Sequence, residues 1–151
     1  MALEILLIDD DRERVAPIID FLELAGLTVV RAYSTEQAWD LLCDEKHLFA
    51  LILLDLRMPM KLMPEPGDYD CDIDERGKYF FRDLRTRDRN IANVDNEKGK
   101  KRMKAKETYK DIPVAILTVR YLRQTEVKKL KESPYNAKKV DSKGISNWSD
   151  Y

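Results

Sequence analysis

The first third of the chain alternates two hydrophobic patterns. Leu3 to Ile8 is a short run dominated by apolar residues that ends in Asp9, Asp10 and Asp11, the pattern of a strand buried on both faces. Arg12 to Ala25 then sets Val15, Ile18, Ile19, Leu22 and Ala25 at helical spacing and closes at Gly26. Pro17 falls beyond the first turn of that helix, where it removes a backbone donor, so a late helix start or a local distortion is expected. Leu27 to Ala32 reads as a second strand. Ser34 with Gln37 forms a capping box for a helix that turns Ala38, Leu41 and Leu42 inward. Phe49 to Leu56 is the most hydrophobic run in the chain, broken by Asp55 near its C-terminal end. Strand, helix, strand, helix, strand at this spacing implies right-handed crossovers and a parallel sheet.

Regularity then fails. Residues 60–77 carry Pro64, Pro66 and six acidic side chains, a loop composition. Lys78 to Arg87 resumes a helical pattern through Phe80, Phe81 and Leu84, and Asn90 to Asp111 is polar and basic in its second half. Ile112 to Thr118 predicts a fourth strand and Leu122 to Lys131 a fourth helix. Lys139 to Ser142 is so polar that it fits only an edge strand, where charge discourages further pairing. The residues after Lys143 are too few for a normal closing helix.

Length and composition narrow the classes. A chain of 151 residues suits one domain, and 36% charged residues with a net charge of −1 argues against bulk attraction to nucleic acid or membrane. No apolar run approaches the ~20 residues of a spanning helix. Met1 leads almost directly into the first strand, which leaves no room for a secretory signal, so a cytoplasmic protein with Cys43 and Cys71 as free thiols is expected. The acidic run Asp68, Asp70, Asp72, Asp74 has the spacing of a calcium loop. Ile73 stands where that loop needs a glycine and Tyr79 where it needs a glutamate, which argues against calcium. The basic run Lys98, Lys100, Lys101, Arg102, Lys104, Lys106 and Lys110 has a single aromatic, Tyr109, and reads as a solvated helix or mobile arm ahead of a nucleic-acid surface.

In an open parallel sheet, ligands bind beyond the carboxyl ends of the strands. Asp9 to Asp11, Asp55 and Thr118 all fall at such ends, and acids from two strands make a nest of hard oxygen ligands suited to Mg²⁺. Asp11 alone reads as a helix cap. The run from Leu3 to Asp11 resembles the opening of response-regulator receiver domains. Leu53 to Pro59, with its D-x-x-M-P ending, resembles their phospho-acceptor strand, and Asp111 to Thr118 their fourth strand. Asn136-Ala137 followed by Lys143 resembles their terminal turn and lysine.

This resemblance implies a three-layer, doubly wound α/β fold with five parallel strands in the order 2-1-3-4-5. It implies a single domain over 1–151, which this sequence departs from with insertions at about 60–77 and 88–111 and with a last helix short or absent. It implies Asp55 as phospho-acceptor and Mg²⁺ held by Asp9, Asp10, Asp55 and the backbone carbonyl of Arg57. Thr118 and Lys143 would contact the phosphoryl group. The implied partners are a sensor histidine kinase or phosphotransfer protein and a downstream protein target, and the implied chemistry stops at the protein's own phosphorylation and dephosphorylation.

The sequence departs from the family at several points. Val140 stands where relatives carry a switch aromatic, Gly144 where they carry proline after the lysine, and Tyr121 lies just beyond Thr118. Arg57 and Arg120 occupy the variable positions near the acceptor and the threonine, where either would screen or pair an acyl phosphate. A missing last helix would bare apolar sheet, partly covered by Ile145 and Trp148, and favours self-association or a partner there. Two rival readings follow: a phosphorylation-independent interaction module, and nucleic-acid binding through the basic run.

Overall fold

The computed structural model describes residues 3–56, 76–86, 97–118 and 122–142. Five strands, β1 (Glu4–Ile8), β2 (Thr28–Ala32), β3 (Phe49–Leu54), β4 (Val114–Thr118) and β5 (Lys139–Ser142), form one parallel sheet in the order β2-β1-β3-β4-β5. The helices are α1 (Arg12–Leu24), α2 (Thr35–Cys43), α3 (Arg76–Arg85), α4 (Glu97–Tyr109) and α5 (Gln124–Lys131). Fold class and strand order are those expected. Among the described residues β5 pairs with β4 alone and takes the edge its polar sequence suited.

Alternation along the strands divides the interior. Leu6, Ile8, Ile52, Leu54, Val114 and Ile116 face the larger core with residues of α2 to α5, whereas Ile5, Leu7 and Leu53 face α1 through Val15, Ile19 and Leu22. Each fully buried Leu, Ile or Phe contributes roughly 1.5–3 kcal/mol.

Three local outcomes differ from expectation. The first concerns α1, which starts at Arg12 and continues through Pro17 instead of starting late. Asp11 fixes that start, its side chain accepting from the backbone N–H groups of Glu13 and Arg14. In α2, Trp39 is buried alongside Ala38 and Leu42 while Leu41 is only partly buried, and Gln37 accepts from Tyr33 N–H at 2.8 Å, one residue before the cap.

The basic run is the third difference. It forms α4, and it is not a free arm: Ala105, Lys106 and Tyr109 are buried. Arg102 lies 4.3 Å over the Trp39 ring, Lys106 pairs with Asp83 at 3.1 Å, and Tyr109 packs beside Phe49. Arg102 also pairs with Asp83, and Lys104 with Glu45. Lys106 and Tyr109 are thus turned toward the protein, while Lys98, Lys100, Lys101, Arg102, Lys104 and Lys110 stay exposed, so the helix is solvated over much of its surface. At the end of α3, Arg85 donates to the carbonyls of Lys110, Ile112 and Tyr135, tying α3 to the segments that precede β4 and β5.

Several expectations lie outside the described residues: the acidic loop with Cys71, and Arg57, Arg120, Tyr121, Lys143, Gly144, Ile145 and Trp148. The expected short or absent last helix lies there too. Cys43 is a free thiol. Among the described residues, no helix is long and apolar enough to cross a membrane.

Candidate functional site

The site grows from two adjacent strand ends. β1 and β3 run in register with Ile8 beside Leu54, so Asp9 and Asp55 are the next residues of each chain. The ladder extends one step past the strands: Asp55 N–H donates to Ile8 C=O at 2.9 Å and Asp9 N–H to Ala32 C=O at 3.0 Å. These bonds fix both backbones before any side chain is considered. Both aspartates are almost fully covered, at 2% exposure for Asp9 and 4% for Asp55, and Asp10 is half-buried. Carboxylate oxygens of Asp9, Asp10 and Asp55 all lie within 4.8 Å of one another. Thr118, buried at 5%, ends β4 on the same edge of the sheet.

Asp9, Asp10 and Asp55 are therefore brought together, and Thr118 ends the strand that neighbours β3. Two neighbours escaped sequence reasoning. Arg14, in the first turn of α1, sends its guanidinium back over the acids. It lies 3.4 Å from an Asp9 oxygen and 3.9 Å from an Asp55 oxygen, and donates to the Leu117 carbonyl at 2.8 Å. A cation at a helix N-terminus opposes the helix dipole. Its position beside three consecutive aspartates was the available signal. The second is Gly77, at the start of α3, which donates from its N–H to the Leu56 carbonyl at 3.1 Å. A β-carbon there would overlap the backbone of Asp55 and Leu56.

Burial is the main force on the Asp9 carboxyl and pushes its pKa up. The Asp11 N–H and the Arg14 charge oppose that shift, while the charges of Asp10 and Asp11 add to it. A carboxyl whose pKa rises on folding keeps its proton to higher pH in the folded chain than in the unfolded one. Stability is therefore lost as pH rises from the ordinary carboxylate value through the raised one. In EDTA, the urea stability of the wild type should fall relative to Asp9→Asn as pH rises above the ordinary carboxylate value. A difference that stays constant over that rise would contradict the assignment.

Comparison with known proteins agrees with this architecture. No protein-family profile matches the chain. Over 58 residues of its N-terminal region, it is 47% identical to the transcriptional regulatory protein CpxR of Escherichia coli K12. The match covers 38% of this chain and spans about a quarter (24%) of that relative's length. Among solved structures, the non-phosphorylated HemR receiver domain of Leptospira biflexa superposes with a TM-score of 0.58 at 19% identity, covering 99% of this chain and 87% of that one. A Burkholderia pseudomallei response regulator solved with a phosphorylated aspartic acid, a calcium ion and citrate superposes with a TM-score of 0.56 at 19% identity, covering 99% of this chain and 64% of that one. The chain has the receiver-domain fold of response regulators.

Proposed function

We propose that this chain receives a phosphoryl group on Asp55 from a histidine kinase or phosphotransfer partner and passes the change to a downstream protein. The observation that carries this reading is the convergence of Asp9, Asp10 and Asp55, two of them almost fully buried, within 4.8 Å at the carboxyl edge of the sheet. Three carboxylates packed so closely repel one another unless a cation offsets them.

The donor set suits a small hard cation. Oxygens from three acids within 4.8 Å of one another are near enough for small side-chain rotations to bring them around one such ion. Asp9, Asp10 and Asp55 would hold it together with the Arg57 carbonyl. When bound, the ion neutralises charge on the phosphoryl oxygens. Asp55 supplies the nucleophile: a carboxylate oxygen forms the new bond to phosphorus while the bond to the leaving group breaks, its electron pair departing with that group. The product is an acyl phosphate. Thr118 and Lys143 are proposed as its hydrogen-bonding and charge-pairing partners. Val140, half-buried against the core where relatives carry an aromatic, means that any switch must work through other contacts. The chemistry is confined to the protein's own phosphorylation and its reversal.

Acetyl phosphate with Mg²⁺ tests the reading. One phosphoryl mass should appear on the peptide containing Asp55, stable in acid and labile in base, and it should vanish in EDTA. No mass gain under these conditions would favour the phosphorylation-independent interaction module. Binding of nucleic acid through α4 has less support, because Arg102, Lys104 and Lys106 already pair with acids of the chain.

A further inference from the structure

We propose that Arg14 is a resident cation of the site, competing with the divalent metal for Asp9 and Asp55 and then bonding to the phosphoryl group once Asp55 carries it. The inference rests on the phosphotransfer reading and adds a residue to it. It begins from how the guanidinium is held. The terminal nitrogen that donates to Leu117 C=O at 2.8 Å also lies 3.4 Å from Asp9. A hydrogen bond to β4 and an ion pair just past the end of β1 thus hold one corner of a planar group. The other terminal nitrogen faces Asp55 at 3.9 Å, short of a direct hydrogen bond to the carboxylate. A phosphoryl group built on Asp55 would bring its own oxygens into that gap.

The side chain can serve both stages. It is 21% exposed, whereas the acids it touches are 3% and 4% exposed, so it covers the cluster from the solvent side. While the acids are bare, its charge offsets part of their repulsion. A doubly charged ion entering the same cluster meets a like charge, which lowers its affinity. After transfer, the planar fork matches phosphoryl oxygens and shields the acyl phosphate from water. A lysine would keep the charge but lose the fork that bridges Leu117 and the acids.

The two stages make the test discriminating, because removing Arg14 should move two measurements in opposite directions. Mg²⁺ binding to the unphosphorylated protein is measured by calorimetry. The lifetime of the phosphorylated protein, quenched from acetyl phosphate into EDTA, is followed by intact-mass spectrometry. In Arg14→Leu, Mg²⁺ should bind roughly 10-fold more tightly while the phosphoryl lifetime shortens several-fold. Arg14→Lys should keep the weaker Mg²⁺ binding but share the shorter lifetime. Urea unfolding in EDTA checks that both variants fold. A purely structural arginine would, when removed, weaken both metal binding and phosphoryl retention together. That result, or no change in either quantity, overturns the proposal. If the wild type takes up no phosphoryl group, the phosphotransfer reading fails and with it the second stage. The calorimetry then still decides whether Arg14 competes with the metal.

Discussion

Asp55→Asn is expected to abolish phosphorylation and, in metal-free protein, to raise stability by about 1–2 kcal/mol. The loss is complete because an amide of the same shape has no anionic oxygen to attack phosphorus. The gain follows from the charges around the buried carboxylate. At an effective dielectric of about 20, a like charge within 5 Å repels by roughly 3 kcal/mol, and Asp55 has two such neighbours in Asp9 and Asp10. Among the described residues the opposing cation is the Arg14 guanidinium, 3.9 Å away. Summed over these described neighbours repulsion exceeds attraction, so neutralising Asp55 should help the folded chain even though it loses its interaction with Arg14. Mg²⁺ should reverse the ranking, since an ion that binds only the folded acids stabilises the wild type more than the variant. Urea unfolding of both proteins in EDTA and in Mg²⁺, together with intact-mass analysis after acetyl phosphate, reads all of this. A variant less stable than the wild type in EDTA would mean that Arg14 already overcompensates the cluster.

Some of this site could be read directly from the order of residues. Asp9 and Asp55 each follow a run of apolar residues long enough to be a buried strand, and parallel pairing brings such ends to one edge. That inference needs only local pattern and the rule that ligands gather at the carboxyl ends of strands. Arg14 was harder because its partners are tertiary. Nothing in residues 12–16 says that α1 crosses the sheet face where it can also reach the Leu117 carbonyl, 103 positions away. The basic run was half legible for a related reason. Lysines and arginines at close spacing rightly suggest a solvated helix. The face that docks through Ala105, Lys106 and Tyr109, however, depends on Trp39, Asp83 and Phe49, which are distant in sequence. Pro17 weighed too heavily: the Asp11 cap outweighed the one backbone bond that the proline removes. Gly77 looked like the end of a loop, since no sequence pattern announces how closely two backbones approach.

That close approach gives the second large effect, in Gly77→Ala. Elsewhere on a helix surface the change from glycine to alanine favours the helix by up to about 1 kcal/mol. Here the opposite sign is expected, because the new methyl would overlap the Asp55 carbonyl and the Leu56 α-carbon. These are backbone atoms of the segment that leaves β3, and they cannot rotate aside as a side chain would. Either the start of α3 lifts away, breaking the bond from Gly77 N–H to Leu56 C=O, or the Asp55 segment moves. Overpacking of this kind costs about 1–3 kcal/mol. The functional loss should be larger in proportion, since a shift of about 1 Å in a reacting group can slow a reaction by roughly 100-fold. Gly26→Ala supplies the comparison. Gly26 sits at φ 85° with open space around it, so alanine there is strained by about 1 kcal/mol yet touches nothing in the site. Both variants should therefore unfold at lower urea than the wild type, but only Gly77→Ala should take up phosphoryl from acetyl phosphate more slowly. Equal rates in the two variants would mean that the contact between α3 and the Asp55 backbone holds the fold without positioning the acceptor.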